Sequence, residues 1–250
     1  MIATIEHQQQ QYRINMAEPI DISLPLTARP EAASAWYVEP MQSEPVRMDG
    51  FVGSVAEGGP VNFRNLRFNP HGNGTHTECV GHISHEHESV NDSLKRHFWL
   101  AQLVTVTPEP QGEDHVITQA ALQQALGDAR PEAIVIRTLP NDEDKKSRQY
   151  SNTNFPYVHH EAMHWLVELG IEHFLIDLPS VDREDDDGAL LAHRAFWNYP
   201  EATSTTRTIT ELVYIPNHVA DGAFILNLAV APFENDASPS RPTLYKIFIG

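Results

Sequence analysis

Two runs of aliphatic and β-branched residues constrain this chain most: Ala133–Thr138 (AIVIRT) and His173–Leu178 (HFLIDL). Each has the length of a strand and the continuous apolarity of one buried on both faces. Between them, apolar residues at 158, 162, 165, 166 and 169 keep a helical period that ends at Gly170. Ala101–Thr107 alternates and is β-branched, predicting a further strand. Thr118 predicts a cap for a helix running to about Leu126, with Gly127 as its stop. At the ends, Ile20–Leu24, Val61–Phe68, Thr210–Ile215, Ala223–Val230 and Leu244–Ile249 read as strands. Helix–strand alternation in the middle and strand-rich ends predict a mixed α/β domain over residues 18–250. Residues 1–17 read as a tail or arm, residues 28–60 as loops with short strands, and residues 140–154 and 182–188 as exposed loops.

The 250 residues carry a formal net charge of −17, which repels phosphate backbones and anionic lipids and argues against nucleic-acid or membrane-surface partners. No stretch approaches the roughly 18 apolar residues of a membrane span. The polar, glutamine-rich N-terminus lacks the pattern of a signal peptide. The single cysteine, Cys79, excludes an internal disulfide. These features predict a cytoplasmic protein. The unusual count is 14 histidines, five of them between His71 and His87. Imidazole is both a common transition-metal ligand and a proton carrier near pH 7.

The stretch Asn69-Pro-His71-Gly-Asn-Gly-Thr75-His76-Thr77-Glu78-Cys79-Val80-Gly81-His82 concentrates that chemistry. In an extended strand, residues two apart share a face, so His76 and Glu78 project together, and His82 has the same parity if the strand continues. His71 has the opposite parity, but Gly72-Asn73-Gly74 can bend the backbone toward the same point. Two imidazoles and a carboxylate suit Zn²⁺ or Mn²⁺ with a position left for water. Such an ion lowers the pKa of a coordinated water toward about 7 and polarises a carbonyl. The same spacing also fits surface histidines on a glycine-rich loop.

The combination Gly74-Thr75-His76-x-Glu78-x-x-x-His82, with His71 upstream, resembles the motif His-x-Gly-Thr-His-x-Asp-x-x-x-His of the cyclase-like metal-dependent hydrolases. That family includes bacterial kynurenine formamidase and isatin hydrolase. The resemblance extends along most of the chain. Ile20-Asp21-Ile22-Ser23-Leu24-Pro25-Leu26 looks like the family's opening strand, and Ile176-Asp177-Leu178-Pro179-Ser180-Val181-Asp182 like its central strand and loop. His193 follows at the family's spacing, and Thr210-Glu211-Leu212 matches a further segment. The resemblance implies a swivelling β/β/α domain with a mixed sheet, usually a homodimer or homotetramer. His71, His76 and Glu78 would hold a first metal, His193 and Glu211 would complete a second position, and His82 would carry the proton. Trp36 falls where the family places an aromatic near the substrate. The chain departs twice: Glu78 stands for an Asp, and His71 precedes His76 by five residues instead of four.

The expected activity is hydrolysis of a C–N bond in a small amide or formamide, arylformamidase-like, with N-formylkynurenine the leading substrate and isatin-like rings or lactones next. A metal- or ligand-binding member without turnover is the alternative, kept open by Glu78. His160-Glu161-Ala162-Met163-His164 also matches the zinc-protease pattern H-E-x-x-H. Its place in the first helical turn, and the lack of a following third histidine, favour a packed amphipathic helix instead. Cys79 lacks a basic neighbour to activate it and reads as a small buried thiol. His85 and His87, flanked by Glu86 and Glu88, read as solvated.

Overall fold

Every residue of Ala133–Thr138 is buried, and the strand lies inside a large twisted sheet. The structure, a computed structural model, describes residues 1–29 and 31–248. Within them the N-terminal part holds β1 (Ile2–His7), β2 (Gln10–Asn15), β3 (Ile20–Asp21), β4 (Gln42–Pro45), β5 (Arg47–Met48), β6 (Phe51–Val52) and β7 (Arg64–Arg67). Then come β8 (His76–Glu78), α1 (Val90–Ser93), β9 (Phe98–Val106), β10 (Glu109–Gln111), β11 (Asp114–Ile117), α2 (Gln119–Leu126) and β12 (Ala133–Thr138). The remainder is β13 (Tyr157–Val158), α3 (His160–Glu168), β14 (His173–Ile176), α4 (Leu191–Trp197), β15 (Thr208–Glu211), β16 (Gly222–Asn227), β17 (Ala237–Pro239) and β18 (Thr243–Phe248).

Among the described residues the main sheet has eleven strands in the order β1-β2-β18-β16-β9-β12-β14-β15-β8-β17, with β3 also on β18. Its centre, β9-β12-β14-β15, is parallel, and both flanks are antiparallel. The alternation of a strand sorts its side chains between two cores. Ile134 and Ile136 join Phe174, Leu122, Leu166 and Phe196 under the helices. Ala133 and Val135 join Leu103, Leu175 and Leu226 on the opposite face. This is the single mixed α/β domain the sequence predicts.

Local signals place most boundaries. Thr118 Oγ1 accepts from the Ala121 amide at 3.1 Å and caps α2, and Gly127 follows it with φ +56°. Tertiary pairing moves others. Val158, expected in a helix, instead extends β13, since its amide donates to the Val181 carbonyl at 2.8 Å and the strand pairs with β11. Val61–Phe68 shortens to β7. The last strand ends the described residues at Phe248, so its expected end at Ile249 lies outside them. Residues 1–17, expected as a tail or arm, carry a hairpin whose β2 pairs with β18 and buries Ile14.

The expectation that residues 140–154 are simply exposed needs correction. Lys145 and Tyr150 are buried. The Lys145 ammonium donates to Asp177 Oδ2 and the Thr138 carbonyl, both at 2.8 Å. The enclosed Asp177 carboxylate requires a counter-charge, and that requirement draws the polar loop inward.

Candidate metal centre

The candidate site gathers at the carboxyl ends of the parallel strands β14 and β15, where open α/β sheets form their crevices. Antiparallel β8 brings its residues there between β15 and β17. In that register His76 lies opposite Glu211, and Glu78 opposite Ile209. His76 and Glu78 share a face, while Thr77 projects oppositely and meets Thr210 Oγ1 at 2.8 Å. Gly74, at φ +152°, allows the approach: a Cβ there would lie 2.8 Å from Leu26 Cδ1. The Gly74 carbonyl accepts from His76 Nδ1 at 3.1 Å, which leaves Nε2 as the free nitrogen.

Glu78 spans the site. Its Oε1 lies 3.1 Å from His193 Nε2, and its Oε2 lies 3.1 Å from His71 Nδ1 and 3.9 Å from His82 Nδ1. His71 reaches in from a turn in which Asn69 Oδ1 accepts from the His71 amide at 2.9 Å, so the opposite strand parity is no obstacle. His82 does not arrive by continued strand parity. The strand stops at Glu78, and a 3-10 turn over Val80–His82 delivers the ring. His193 projects from α4, and Glu211 Oε2 lies 3.3 Å from His76 Nε2. All five residues expected to hold metal, together with His82, therefore converge.

Two acids not singled out from the sequence complete the cluster. Asp182 Oδ2 accepts from His193 Nδ1 at 2.6 Å, and its carboxylate also caps the α4 amides of Ala192 and His193. Asp182 is buried, so the acidic stretch 182–188 is not wholly an exposed loop. Its signal lay in the Ser-Val-Asp end of the central segment. Asp236 approaches His71 Nε2 at 2.8 Å and His82 Nδ1 at 3.3 Å. No local pattern around it announces this.

The donor set fits a divalent cation. His76 Nε2 and Glu78 Oε2 are buried without a hydrogen-bond partner, an arrangement costly unless something positive accepts their lone pairs. Donor atoms of His71, His76 and Glu78 lie within 4.8 Å of one another, as do those of Glu78, His82 and His193, and those of His71, His82 and Asp236. Titration reflects the same demand for positive charge. Burial opposes charging His71, but its contacts with Asp236 and Glu78 raise it from 6.5 to about 10. Burial likewise opposes charging His193, which Asp182 and Glu78 raise well above its ordinary value. Burial would raise Glu78, yet His82, His193 and His71 hold it well below the usual carboxylate range.

A pocket of about 270 Å³ opens onto this cluster, lined by Trp36, His71, Glu78, His82, His193 and Glu211. Trp36 forms a wall, its ring edge-on to Phe155 at 5.9 Å. Trp36 and Tyr37 both hold φ near +60° (61° and 56°), a costly backbone for two side-chain-bearing residues. The Tyr37 hydroxyl meets Glu184 Oε1 at 3.0 Å, tying this loop to the acidic rim.

The rival motif is not assembled. The His160 and His164 rings stand 6.4 Å apart, and among the described residues neither joins a metal-capable group of three. Cys79 is buried and its thiol pushed up to about 11 by that burial, as expected of an inert sulfur. His85 and His87 are exposed. No helix is long and apolar enough to cross a membrane among the described residues.

The family described as "Putative cyclase" matches residues 20–183, and the chain belongs to that family. The fold is shared with solved structures of low identity. One is a potential metal-dependent hydrolase with cyclase activity, at 16% identity and TM-score 0.64 over 92% of this chain and 98% of that one. Another is an isatin hydrolase bound to the product analogue thioisatinate, at 12% identity and TM-score 0.67 over 92% and 93%. A third is isatin hydrolase A from Labrenzia aggregata bound to benzyl benzoate, at 14% identity and TM-score 0.62 over 91% and 93%. Comparison with curated protein sequences finds no match.

Proposed function

We propose that this protein is a metal-dependent hydrolase of a small amide or formamide C–N bond, arylformamidase-like in its chemistry. The observation that carries the reading is Glu78, which places one oxygen beside His71 and the other beside His193 while His76 Nε2 waits unpartnered next to it. His71, His76 and Glu78 would hold one Zn²⁺ or Mn²⁺, and His193 and Glu211 a second position shared through Glu78. When bound, such an ion acidifies water and polarises a carbonyl.

The chain's own residues supply the rest. Trp36 offers a flat apolar wall for a planar substrate, in a pocket sized for one or two rings. His82 lines the same pocket, and with Nδ1 engaged by Asp236 its Nε2 is free to take a proton from water. Returning that proton to the leaving nitrogen lets the C–N bond break with an amine as product. The acidic rim of Glu184 and Asp186 favours neutral or cationic substrates over anions.

Opening of a cyclic amide is the second reading, favoured by the Trp36 ring lining the pocket and by the isatin hydrolases that share the fold. A small-molecule substrate, a homodimer or homotetramer and a cytoplasmic location complete the proposal. The test is turnover of N-formylkynurenine, formanilide, isatin and a lactone by protein loaded with Zn²⁺ or Mn²⁺. Formanilide or N-formylkynurenine cleavage supports the first reading, and isatin opening alone supports the second. Stoichiometric metal with no turnover across the panel would return the protein to a binding role.

A further inference from the structure

We propose that Asp236 is a positioning residue that governs which nitrogen His71 and His82 each present to the site. A single carboxylate oxygen, Oδ2, meets His71 Nε2 at 2.8 Å and His82 Nδ1 at 3.3 Å. The two rings lie side by side at a tilt, centroids 4.5 Å apart and planes 33° from parallel. Because Asp236 takes opposite nitrogens of the two rings, it leaves opposite nitrogens free of it. His71 presents Nδ1, 3.1 Å from Glu78 Oε2, and His82, its Nδ1 engaged by Asp236, is left with Nε2 as its free nitrogen.

The backbone holds Asp236 in place for this. Its carbonyl accepts from the Cys79 amide at 3.0 Å, and the next residue, Ala237, pairs with Glu78 in the β8–β17 ladder. The carboxylate is therefore held one residue before β17, the strand beside the one that bears Glu78 and His76. A carboxylate behind a ligating imidazole fixes its tautomer and ring angle and makes it a better donor. Here one carboxylate does so for a candidate ligand and for the candidate proton carrier together. A cation on His71 Nδ1 would require Nε2 to keep its proton, which Asp236 accepts.

This inference rests on the hydrolase reading for its kinetic consequence only. The test uses the full chain and the variants Asp236→Ala, Asp236→Asn and Asp236→Glu, with unfolding midpoints to confirm intact folds. In wild-type protein without metal, nitrogen-15 NMR should show a water-protected imidazole Nε2–H resonance from His71 that vanishes in Asp236→Ala. Zinc affinity, measured by chelator competition, should fall roughly 10- to 100-fold in Asp236→Ala. Asp236→Glu should recover part of that loss. With a hydrolysed substrate in hand, kcat should fall while KM stays within about twofold, since Asp236 is absent from the pocket lining.

Loss of the resonance together with weakened zinc binding supports the proposal even if no substrate is turned over, an outcome that would count against the hydrolase reading alone. A wild-type His71 without a protected Nε2–H overturns it. So does zinc bound through Nε2, or zinc affinity unchanged in Asp236→Ala.

Discussion

His76 and Glu211 face each other across the β8–β15 ladder, with Nε2 3.3 Å from Oε2 and both side chains buried. Nδ1 of His76 is directed to the Gly74 carbonyl, so in the neutral imidazole that a metal ligand must be, a lone pair on Nε2 confronts a carboxylate. That contact is unfavourable on its own and favourable around a shared cation. Glu211→Gln keeps the shape, and the amide oxygen can still accept from the Val181 amide now bonded to Oε1 at 3.1 Å. We expect it to lower metal affinity by at least about tenfold, because losing even an outer partner of a metal site costs that much. Isothermal titration with Zn²⁺ or Mn²⁺ checks this, and unchanged affinity would remove Glu211 from the site.

His82 is the most open of the clustered histidines, and Asp236 occupies its Nδ1. His82→Ala should keep its metal and lose roughly 10²–10⁴ of kcat on a substrate with a poor leaving nitrogen. Steady-state kinetics beside metal analysis separates the two effects. Full turnover in a metal-replete His82→Ala protein would leave the proton carrier elsewhere.

A different histidine sets a pH dependence of stability. His173 is buried under Trp99 and shares a hydrogen bond with Thr208 Oγ1 at 2.7 Å. Burial, aided by the Arg96 guanidinium, pushes its pKa from 6.5 down to about 3. Between those values the unfolded chain binds the proton and the folded chain does not, so stability falls as pH falls. The loss between pH 6.5 and 5 from this one group is about 2 kcal/mol. Urea unfolding at pH 7 and pH 5 should show a smaller difference in His173→Gln than in the parent. Equal pH sensitivity in the two proteins would contradict the assignment.

The same contrast between local and distant causes explains what the sequence disclosed. Ala133–Thr138 needed only its own apolarity, and α2 only its cap and stop, so both were legible. His76 and Glu78 were legible because two-residue periodicity holds over the short strand that carries them. His82 lies beside Glu78 and Asp236, but not by strand parity, since the chain turns after Cys79 and never continues the strand. Val158 was lost from its expected helix to a pairing with β11 that no nearby residue signals. Asp236 was invisible because its role depends on β17 lying beside β8, a neighbour relation fixed by the whole sheet. Lys145 likewise turned inward to meet Asp177, a partner that composition alone cannot assign.

Imidazoles and carboxylates from distant segments converge on Glu78, where they would enclose a divalent cation. Plasma mass spectrometry of the wild-type chain after incubation with Zn²⁺ or Mn²⁺ and desalting, beside His76→Ala/Glu78→Ala, tests this most directly. About one or two ions per wild-type chain and nearly none in a folded double variant are expected. A wild-type chain that retains no ion, or a double variant that retains as many, would contradict it.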